Sequence, residues 1–213
     1  GLRGAVSVKR GLYGTPVTEF IAAKKDIERV EFPDTIQGIG SFDLCMFRCT
    51  MLRELIIPDH ITKIDGEFIA SDCKNLEYVH TGNGYRRIEA SDYSDCPNLK
   101  KVEIGTGVEA IDDSAFKNCY SLKELYIPSN VKEISATAFW GIEDNITIIG
   151  ETGSYAEAYA SSMGIKFRSN GKTAETSVLK LNKPVVAGNV INVSVAGKNT
   201  DIMKYEYRVD KVA

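Results

Sequence analysis

Four cysteines recur at a nearly constant interval and are the first residues in this chain whose type and spacing suggest chemistry. They lie 24, 23 and 23 residues apart, at Cys49, Cys73, Cys96 and Cys119. Regularly spaced thiols can form disulfides or bind a metal ion. Each of them also lies three residues before a leucine, so the interval belongs to a sequence repeat and the chain is interpreted as copies of one unit.

Other residue types that carry chemistry are few and poorly placed. His60 lies in a predicted turn beside Pro58, where we expect a solvated loop residue, whereas His80 lies on a predicted strand. Asp112 and Asp113 lack the glycine and glutamate spacing of a calcium loop and suit the caps of helical turns. No Ser-His-Asp set, nucleophile elbow or facing pair of carboxylates can be placed. We therefore predict no enzyme activity, no metal and no cofactor.

One short segment resembles the end of a phosphate-binding loop, Gly171-Lys172-Thr173. The glycine that such a loop needs five residues earlier is replaced by Lys166, and no change from strand to helix follows. We therefore predict a polar linker over residues 169–174.

The repeat can be aligned on the leucine that follows each cysteine. Five copies begin at Ile27, Leu52, Leu76, Leu99 and Leu122. The clearest copy reads LKELYIPSNVKEISATAFW, and we place a degraded sixth strand at Ile146 and Ile148.

The spacing of apolar residues within one copy predicts its local structure. The opening L-x-x-L-x-I alternates with period two, which is typical of a short strand with one buried face. Proline or glycine then ends the strand. A second apolar pair, such as Val131 and Ile134, indicates a bend or a second short strand, and Ala-Phe-x-x-Cys indicates a helical turn. A unit of about 23 residues buries its apolar side only by stacking on its neighbours, which predicts a right-handed α/β solenoid with one open parallel sheet.

Three segments carry a family resemblance: LIIPDHITKI, VEIGTGVEAIDDSAFKNCYSLKELYIPSNVKEISATAF and GSYAEAYASSMGIKF. They resemble BspA-like leucine-rich repeat proteins of the Treponema type, over roughly residues 27–168. Asp92-Tyr93 replaces the Ala-Phe pair in one copy. The resemblance implies a leucine-rich repeat solenoid with a concave sheet and convex helical turns. It also implies a surface-exposed or secreted bacterial protein, often an adhesin or binding module and not an enzyme.

The ends of the solenoid are expected to carry caps, because a terminal repeat would expose its apolar side. Residues 1–26 are predicted to form an N-terminal cap, with a helix that begins at Thr15-Pro16, and the alternative is a remnant of an upstream domain. Residues 154–163 are predicted to form a short helix followed by a strand over residues 165–167. One face of that helix carries Tyr155, Ala158, Tyr159 and Met163.

Residues 175–213 alternate in the manner of β-strands, for example at Ile191, Val193 and Val195, and again at Tyr205, Tyr207 and Val209. An immunoglobulin-like sandwich needs about 100 residues. We therefore expect either an incomplete module of that kind or a small β appendage.

Composition excludes some partners. The net charge of −3 argues against nucleic acid, and no apolar run reaches the 18 residues of a membrane span. The chain opens Gly-Leu-Arg-Gly, with neither an initiating methionine nor a signal peptide. We expect a trimmed or mature form that is extracellular or at the cell surface, as the resemblance implies.

The repeat also changes the interpretation of the cysteines. Equivalent side chains in adjacent repeats point the same way, which leaves their Cβ atoms farther apart than a disulfide allows. We expect a column of buried free thiols. A disulfide that involves Cys45, which lies outside the interval, and a metal site are the alternatives.

Outward positions of the parallel sheet remain as the candidate binding site, since the third and fifth residues of L-x-x-L-x-I point away from the core. These positions are Arg29, Glu31, Glu54, Ile56, Tyr78, His80, Lys101, Glu103, Glu124, Tyr126, Asn145 and Thr147. Aromatic and apolar residues among charges of both signs are typical of protein interfaces. We predict a host or other-cell protein partner, with a flank or loop as the alternative surface. The alternative functions are a glycan-binding module, in which Tyr78 and Tyr126 stack on sugar rings, and a structural spacer.

Overall fold

The chain divides into two units, residues 1–174 and residues 175–213. In the first unit, short parallel strands recur at the interval of the repeat. The computed structural model describes residues 5–7, 27–32, 38–39, 46–61, 63–64, 69–174, 180–181, 185–187, 190–192 and 195–196. In chain order, the elements of the first unit are β1 (Ala5–Ser7), β2 (Arg29–Glu31), β3 (Gly38–Ile39), β4 (Glu54–Ile56), β5 (Lys63–Ile64), β6 (Tyr78–His80), β7 (Arg87–Ile88), β8 (Lys101–Glu103), β9 (Ala110–Ile111), β10 (Glu124–Tyr126), β11 (Glu133–Ile134), β12 (Thr147–Thr152), α1 (Tyr155–Met163) and β13 (Lys166–Thr173).

The opening strands of the repeats form the predicted parallel sheet. Its first part has the order β1-β2-β4-β6-β8, and its second part the order β10-β12-β13, with β10 next to β8. Equivalent residues pair in register, so that Leu55 lies opposite Val79 and Val79 lies opposite Val102. All three side chains are buried. The prediction of a leucine-rich repeat solenoid is confirmed.

A second short strand follows each corner. The second apolar pair predicted either a bend or a short strand at this point, and the strand is what forms. β3 pairs with β5, and β7, β9 and β11 form a three-stranded parallel sheet. Ile88, Ile111 and Ile134 lie in register along it and point into the core. Each repeat therefore contributes two short strands, and each strand pairs with the equivalent strand of the neighbouring repeat.

The corners between the two strands bring neighbouring backbones very close together. A Cβ atom added at Gly105 would lie 1.8 Å from the carbonyl oxygen of Gly82 in the preceding repeat. Only glycine fits at that position.

The side opposite the parallel sheet, which we call the turn side, carries hydrogen-bonded turns where helical turns were predicted. The N–H of Lys117 bonds to the carbonyl of Ser114, three residues earlier. A residue in the left-handed region precedes each cysteine position, for example Asp95 (φ 57°) and Asn118 (φ 58°). The N–H groups of these two residues donate to the neighbouring repeat, from Asp95 to Lys117 C=O at 2.8 Å and from Asn118 to Trp140 C=O at 3.0 Å, so the chain does not propagate as a helix.

A column of aromatic rings fills the core behind these turns. Tyr93, Phe116 and Phe139 stack with ring centroids 5.7 Å apart at each step, and Tyr159 of α1 follows Phe139 at 6.1 Å. Tyr93 takes the same place in its copy as phenylalanine does in the next two, so the Asp92-Tyr93 variation leaves the column intact.

Helix α1 begins and ends as its sequence predicts, with Ser154 as N-cap and Gly164 (φ 68°) as the left-handed C-terminal residue. Of the four residues expected to share one face, only Tyr159 is buried. The helix buries Ala156, Tyr159 and Ala160, whereas Tyr155 and Met163 are exposed. Small alanines let the helix approach β12 and β13, and only Tyr159 of the predicted face reaches the core.

Residues 169–173, predicted as a linker, continue strand β13. The pairing of β12 with β13 shifts register between Gly150 and Thr152, which accommodates Gly171 at φ 84°. Polar, turn-forming residues are thus tolerated because their side chains are exposed.

The second unit contains two short antiparallel pairs. They are β14 (Lys180–Leu181) with β17 (Val195–Ala196), and β15 (Val185–Ala187) with β16 (Val190–Asn192). The predicted strand over Tyr205–Val209 and the predicted helix at Thr15-Pro16 lie outside the described residues.

Candidate functional site

The four repeated cysteines form a buried column whose thiols are not available for reaction. Cys49, Cys73, Cys96 and Cys119 are all buried and form no disulfide, as predicted for this column. The thiol of Cys96 donates to the carbonyl of Ala70 at 3.1 Å, and that of Cys119 to Tyr93 at 3.1 Å. Burial raises the pKa of the Cys119 thiol to about 12, so it stays protonated at neutral pH. Cys45 lies outside the described residues.

Among the residues that the structure describes, no group of three or more His, Cys, Asp or Glu side chains is arranged so that it could hold a metal ion. His60 is exposed in a turn, as predicted. No helix among the described residues is long and apolar enough to cross a membrane.

Outward side chains of the parallel sheet form two columns, which together we call the strand face. The first column contains Arg29, Glu54, Tyr78 and Lys101, then Glu124, Thr147 and Lys166. The second contains Ile56, His80 and Glu103, then Tyr126, Ile149 and Arg168. Glu31 lies on β2, but its side chain lies outside the described residues. The structure thus brings the predicted positions together, with one exception.

The exception is the sixth repeat, where the predicted register is wrong by two residues. Leu125 pairs with Ile148, so Thr147 lies in the first column and Ile149 takes the place expected for Thr147. Asn145 lies in the turn before β12, where its N–H bonds to Ile142 C=O at 2.9 Å. A slip of two residues keeps every side chain on the same face, so the alternation of apolar residues does not distinguish the two registers.

Glu103 is the centre of a network of polar contacts in the middle of the strand face. Lys101 Nζ lies 2.5 Å from Glu103 Oε1, Tyr78 OH donates to Oε2 at 2.7 Å, and His80 Nδ1 lies 3.6 Å from Oε2. The hydrogen bonds from Lys101 and then from Tyr78 lower the pKa of the Glu103 carboxyl. The carboxylate is therefore ionised at neutral pH and links two repeats.

The surroundings of Tyr78 and His80 extend this network. Burial and the contact with Glu103 raise the pKa of Tyr78 to about 12. The ammonium of Lys101 lies 5.3 Å from the centre of the Tyr78 ring. His80 Nε2 lies 3.2 Å from Asp59 Oδ1, and this hydrogen bond lowers the pKa of the Asp59 carboxyl. The side chains in the middle of the strand face are therefore held in position by contacts with one another.

Exposed apolar groups flank this network along the strand face. Ile56 is 36% exposed on one side of it, and Tyr126 is 39% exposed on the other, next to the half-buried Ile149. Arg168 Nη2 bonds to Glu124 Oε2 at 2.8 Å beside Tyr126. The face thus has two apolar contact points on either side of a charged network.

Sequence reasoning missed a second group of exposed aromatic residues on the turn side. Trp140 is 56% exposed and Tyr120 is 54% exposed. The repeat contains a signal for Trp140, because the three preceding copies have Ser71, Ser94 and Lys117 at that position, whereas the first copy has Phe47. A large aromatic residue at a position that is polar in most copies indicates an exposed side chain.

Comparison with known proteins identifies the repeat. A model of the BspA type leucine rich repeat region matches residues 18–151 in six copies. No curated protein matches the chain significantly.

Solved structures with a similar fold come from three bacteria. A leucine rich cell surface protein from Faecalibacterium prausnitzii A2-165 is 26% identical, with a TM-score of 0.53, over 62% of this chain and 34% of that protein. The T. pallidum Leucine Rich Repeat protein is 19% identical (TM-score 0.49, over 68% and 57%), and a leucine-rich repeat protein from Bacteroides ovatus ATCC 8483 is 24% identical (TM-score 0.48, over 70% and 35%). This chain therefore spans about a third of the Faecalibacterium protein.

Proposed function

Since this chain belongs to the BspA-type leucine-rich repeat family, we propose that it is a non-enzymatic binding module whose protein partner docks on the strand face. The partner is a protein of the host or of another cell. The observation that carries the proposal is the pairing of exposed apolar groups, Ile56 and Tyr126, with a fixed charged network between them.

Rigidity of the strand face supports this function. Its strands are held by parallel backbone ladders. Tyr78 contacts Glu103 on the adjacent strand, and Lys101 contacts Glu103 within its own strand. A surface whose side chains are already ordered loses less conformational entropy when a partner binds. The mixture of aromatic, aliphatic and charged groups is also typical of protein interfaces.

Glycan binding on the same face has weaker support. Stacking of a sugar on Tyr78 requires an accessible ring face. The Tyr78 ring is half-buried, and Lys101 lies over it. Of the two tyrosines that a sugar would need, Tyr126 is exposed, whereas Tyr78 is half-buried.

The absence of catalysis and the location are parts of the same proposal. Protonated, buried thiols such as Cys119 are poor nucleophiles, which supports a binding role. The similarity to the Faecalibacterium prausnitzii cell surface protein supports a location at the cell surface or outside the cell, where the module would contribute to adhesion.

The test uses the whole chain immobilised on a biosensor. Proteins from the surfaces of candidate host or bacterial cells are captured, identified by mass spectrometry, purified and titrated. We expect Ile56→Ser/Tyr126→Ala to weaken binding of the purified partner by about tenfold or more, because exposed aromatic anchors dominate protein interfaces.

Tyr155→Ala on α1 is the matched control, because Tyr155 is a 44% exposed aromatic residue away from the strand face. It should bind the partner like the unmodified chain. Equal affinity of the double variant and the unmodified chain would exclude the strand face as the docking site.

A further inference from the structure

The sixth repeat has an asparagine at a place where four earlier copies have a buried leucine. Leu125 pairs with Ile148. Asn145 lies three residues before Ile148 and therefore takes the place that Leu122 has in the fifth copy. Its N–H donates to the carbonyl three residues earlier at 2.9 Å, as the N–H of Leu122 does. The equivalent leucines are all fully buried, at Leu52, Leu76, Leu99 and Leu122.

The side chain of Asn145 does not follow these leucines into the core. Asn145 is exposed, whereas the next residue, Ile146, is fully buried in the core. Hydrogen bonds fix the turn that separates the two side chains. Ile146 N–H donates to Ile142 C=O at 3.0 Å, and Gly141 N–H donates to Glu143 Oε2 at 2.7 Å. The turn thus directs Asn145 to solvent while its neighbour fills the core.

Other asparagines of the solenoid use their side chains to join adjacent repeats. Asn75 Nδ2 donates to Thr50 C=O at 2.7 Å, and Asn98 Nδ2 donates to Lys74 C=O at 2.8 Å. The side chain of Asn145, by contrast, forms no hydrogen bond within the described residues. Neither packing nor hydrogen bonding therefore explains an asparagine at this position.

The two residues that follow supply an explanation. Asn145, Ile146 and Thr147 form an Asn-x-Thr triplet without proline, which is the acceptor sequence for N-linked glycosylation. Thr147 is half-buried with an outward side chain, and its hydroxyl also forms no hydrogen bond in the described part of the chain. An attached sugar chain is bulky and hydrated, so its asparagine must point to solvent in the folded protein. Asn145 meets this condition.

We propose that Asn145 is glycosylated on its side-chain nitrogen by an oligosaccharyltransferase, with a polyprenyl-diphosphate-linked oligosaccharide as the donor. The nitrogen bonds to the anomeric carbon of the first sugar, and the bond between that carbon and the diphosphate oxygen breaks. The polyprenyl diphosphate leaves with the electron pair, and the amide nitrogen loses one proton to a base of the transferase. The proposal rests on the proposed location at the cell surface or outside the cell, since this modification belongs to exported proteins.

The fold accommodates the product of this reaction but not the reaction itself. Thr147 N–H donates to Lys123 C=O at 2.8 Å, and β12 is paired on both sides, with β10 and with β13. A transferase can engage both Asn145 and Thr147 only while this segment is free of the sheet, so the transfer precedes folding of the sixth repeat. The glycan then borders the strand face, in which Thr147 lies.

The test assigns any glycan by residue, because the chain contains a second triplet, Asn192-Val193-Ser194. The protein is isolated from the cells that produce it, separately from the exported and the intracellular fractions. Peptides are then sequenced by mass spectrometry with electron-transfer fragmentation, which keeps the sugar on its side chain. We expect most exported molecules to carry an oligosaccharide on Asn145.

Variants produced in the same cells test the acceptor sequence. Asn145→Gln should lose the glycan at this site, and Thr147→Val should lose it although Asn145 remains. Thr147→Ser is the matched control, because it keeps the hydroxyl and should keep the glycan. Asn170→Gln, which changes an asparagine outside both triplets, should also leave the glycan on Asn145 unchanged. Circular dichroism checks that each variant is folded.

Three outcomes would overturn the proposal. Exported protein with unmodified Asn145 would exclude the modification and leave the proposed location intact. Protein found only inside the cell, with unmodified Asn145, would exclude both. A glycan on Asn145 that persists in Thr147→Val would show that the triplet is not the acceptor sequence.

Discussion

The strand side and the turn side of the solenoid hold adjacent repeats together by different means. On the strand side, beyond the backbone ladder, outward side chains meet in exposed ion pairs such as Arg168 with Glu124. The turn side also has an exposed pair between repeats, Arg48 with Asp72. Buried groups make the further contacts there, since aromatic rings stack in a column and thiols such as Cys96 donate to carbonyl groups of the preceding repeat.

This difference indicates that buried groups stabilise the stack of repeats, whereas exposed groups are available for recognition. Buried apolar contacts contribute several kcal/mol each, whereas exposed ion pairs contribute about 1 kcal/mol or less. Outward residues on the strand face are thus free to vary for binding, while the groups beneath the turns maintain the stack. Trp140 and Tyr120 fit this division, because they project outward from the turns without joining the core.

The largest expected effect is on the aromatic column. Phe116 is fully buried between Tyr93 and Phe139, so Phe116→Ala removes two stacking contacts and leaves a cavity. We expect a loss of about 3–5 kcal/mol in the free energy of unfolding. Urea denaturation followed by circular dichroism measures it, and Phe116→Leu, which fills more of the cavity, should lose less. A loss below 1 kcal/mol for Phe116→Ala would show that the column does not hold the repeats together.

A smaller effect is expected from pH, through a buried carboxyl on the turn side. Asp92 is fully buried where the next copy has Ala115, and it accepts hydrogen bonds from Tyr85 OH and the N–H of Glu89. Burial raises the pKa of Asp92 to about 8, against the lowering effect of these hydrogen bonds. The folded state therefore holds this proton more tightly than the unfolded chain. The resulting stabilisation is complete below about pH 4 and is lost as the pH rises through about 8.

Unfolding measured in urea at several pH values between 4 and 9 tests this. We expect Asp92→Asn to show a weaker fall in stability with rising pH than the unmodified chain, whatever its stability at one pH. Asp144→Asn, which changes an exposed carboxyl, should keep the original profile. Identical profiles for the unmodified chain and Asp92→Asn would contradict the assignment.

The smallest expected effect is on the strand side. Arg168→Gln removes the ion pair with Glu124, whose side chains are 56% and 53% exposed. We expect a change of about 0.2–1 kcal/mol in the free energy of unfolding, which should shrink further at high salt. The same urea titration at two salt concentrations measures it. A loss as large as that of Phe116→Ala would erase the contrast between the two sides.

Much of the strand face could be predicted, because the repeat length is nearly constant and alternation tells inward from outward positions. The structure pairs Glu54 with Tyr78 and Tyr78 with Lys101, as the alignment on the leucine requires. The sixth repeat escaped prediction because Ile146 and Ile148 are both buried, which leaves two registers equally compatible with the apolar pattern. The geometry of the turns also escaped prediction, since serine, aspartate and asparagine fit helical turns as well as left-handed positions.

The sequence by itself determined the stacked architecture of this protein, because a unit of about 23 residues with one apolar side buries that side only against copies of itself. The tertiary structure alone decided which outward side chains engage one another and which stay open. Tyr78 and Glu103 lie 25 residues apart in sequence, yet their side chains bond at 2.7 Å, whereas Trp140 remains 56% exposed. Contacts of this kind depend on side-chain directions and on the spacing between repeats, which only the packed solenoid fixes.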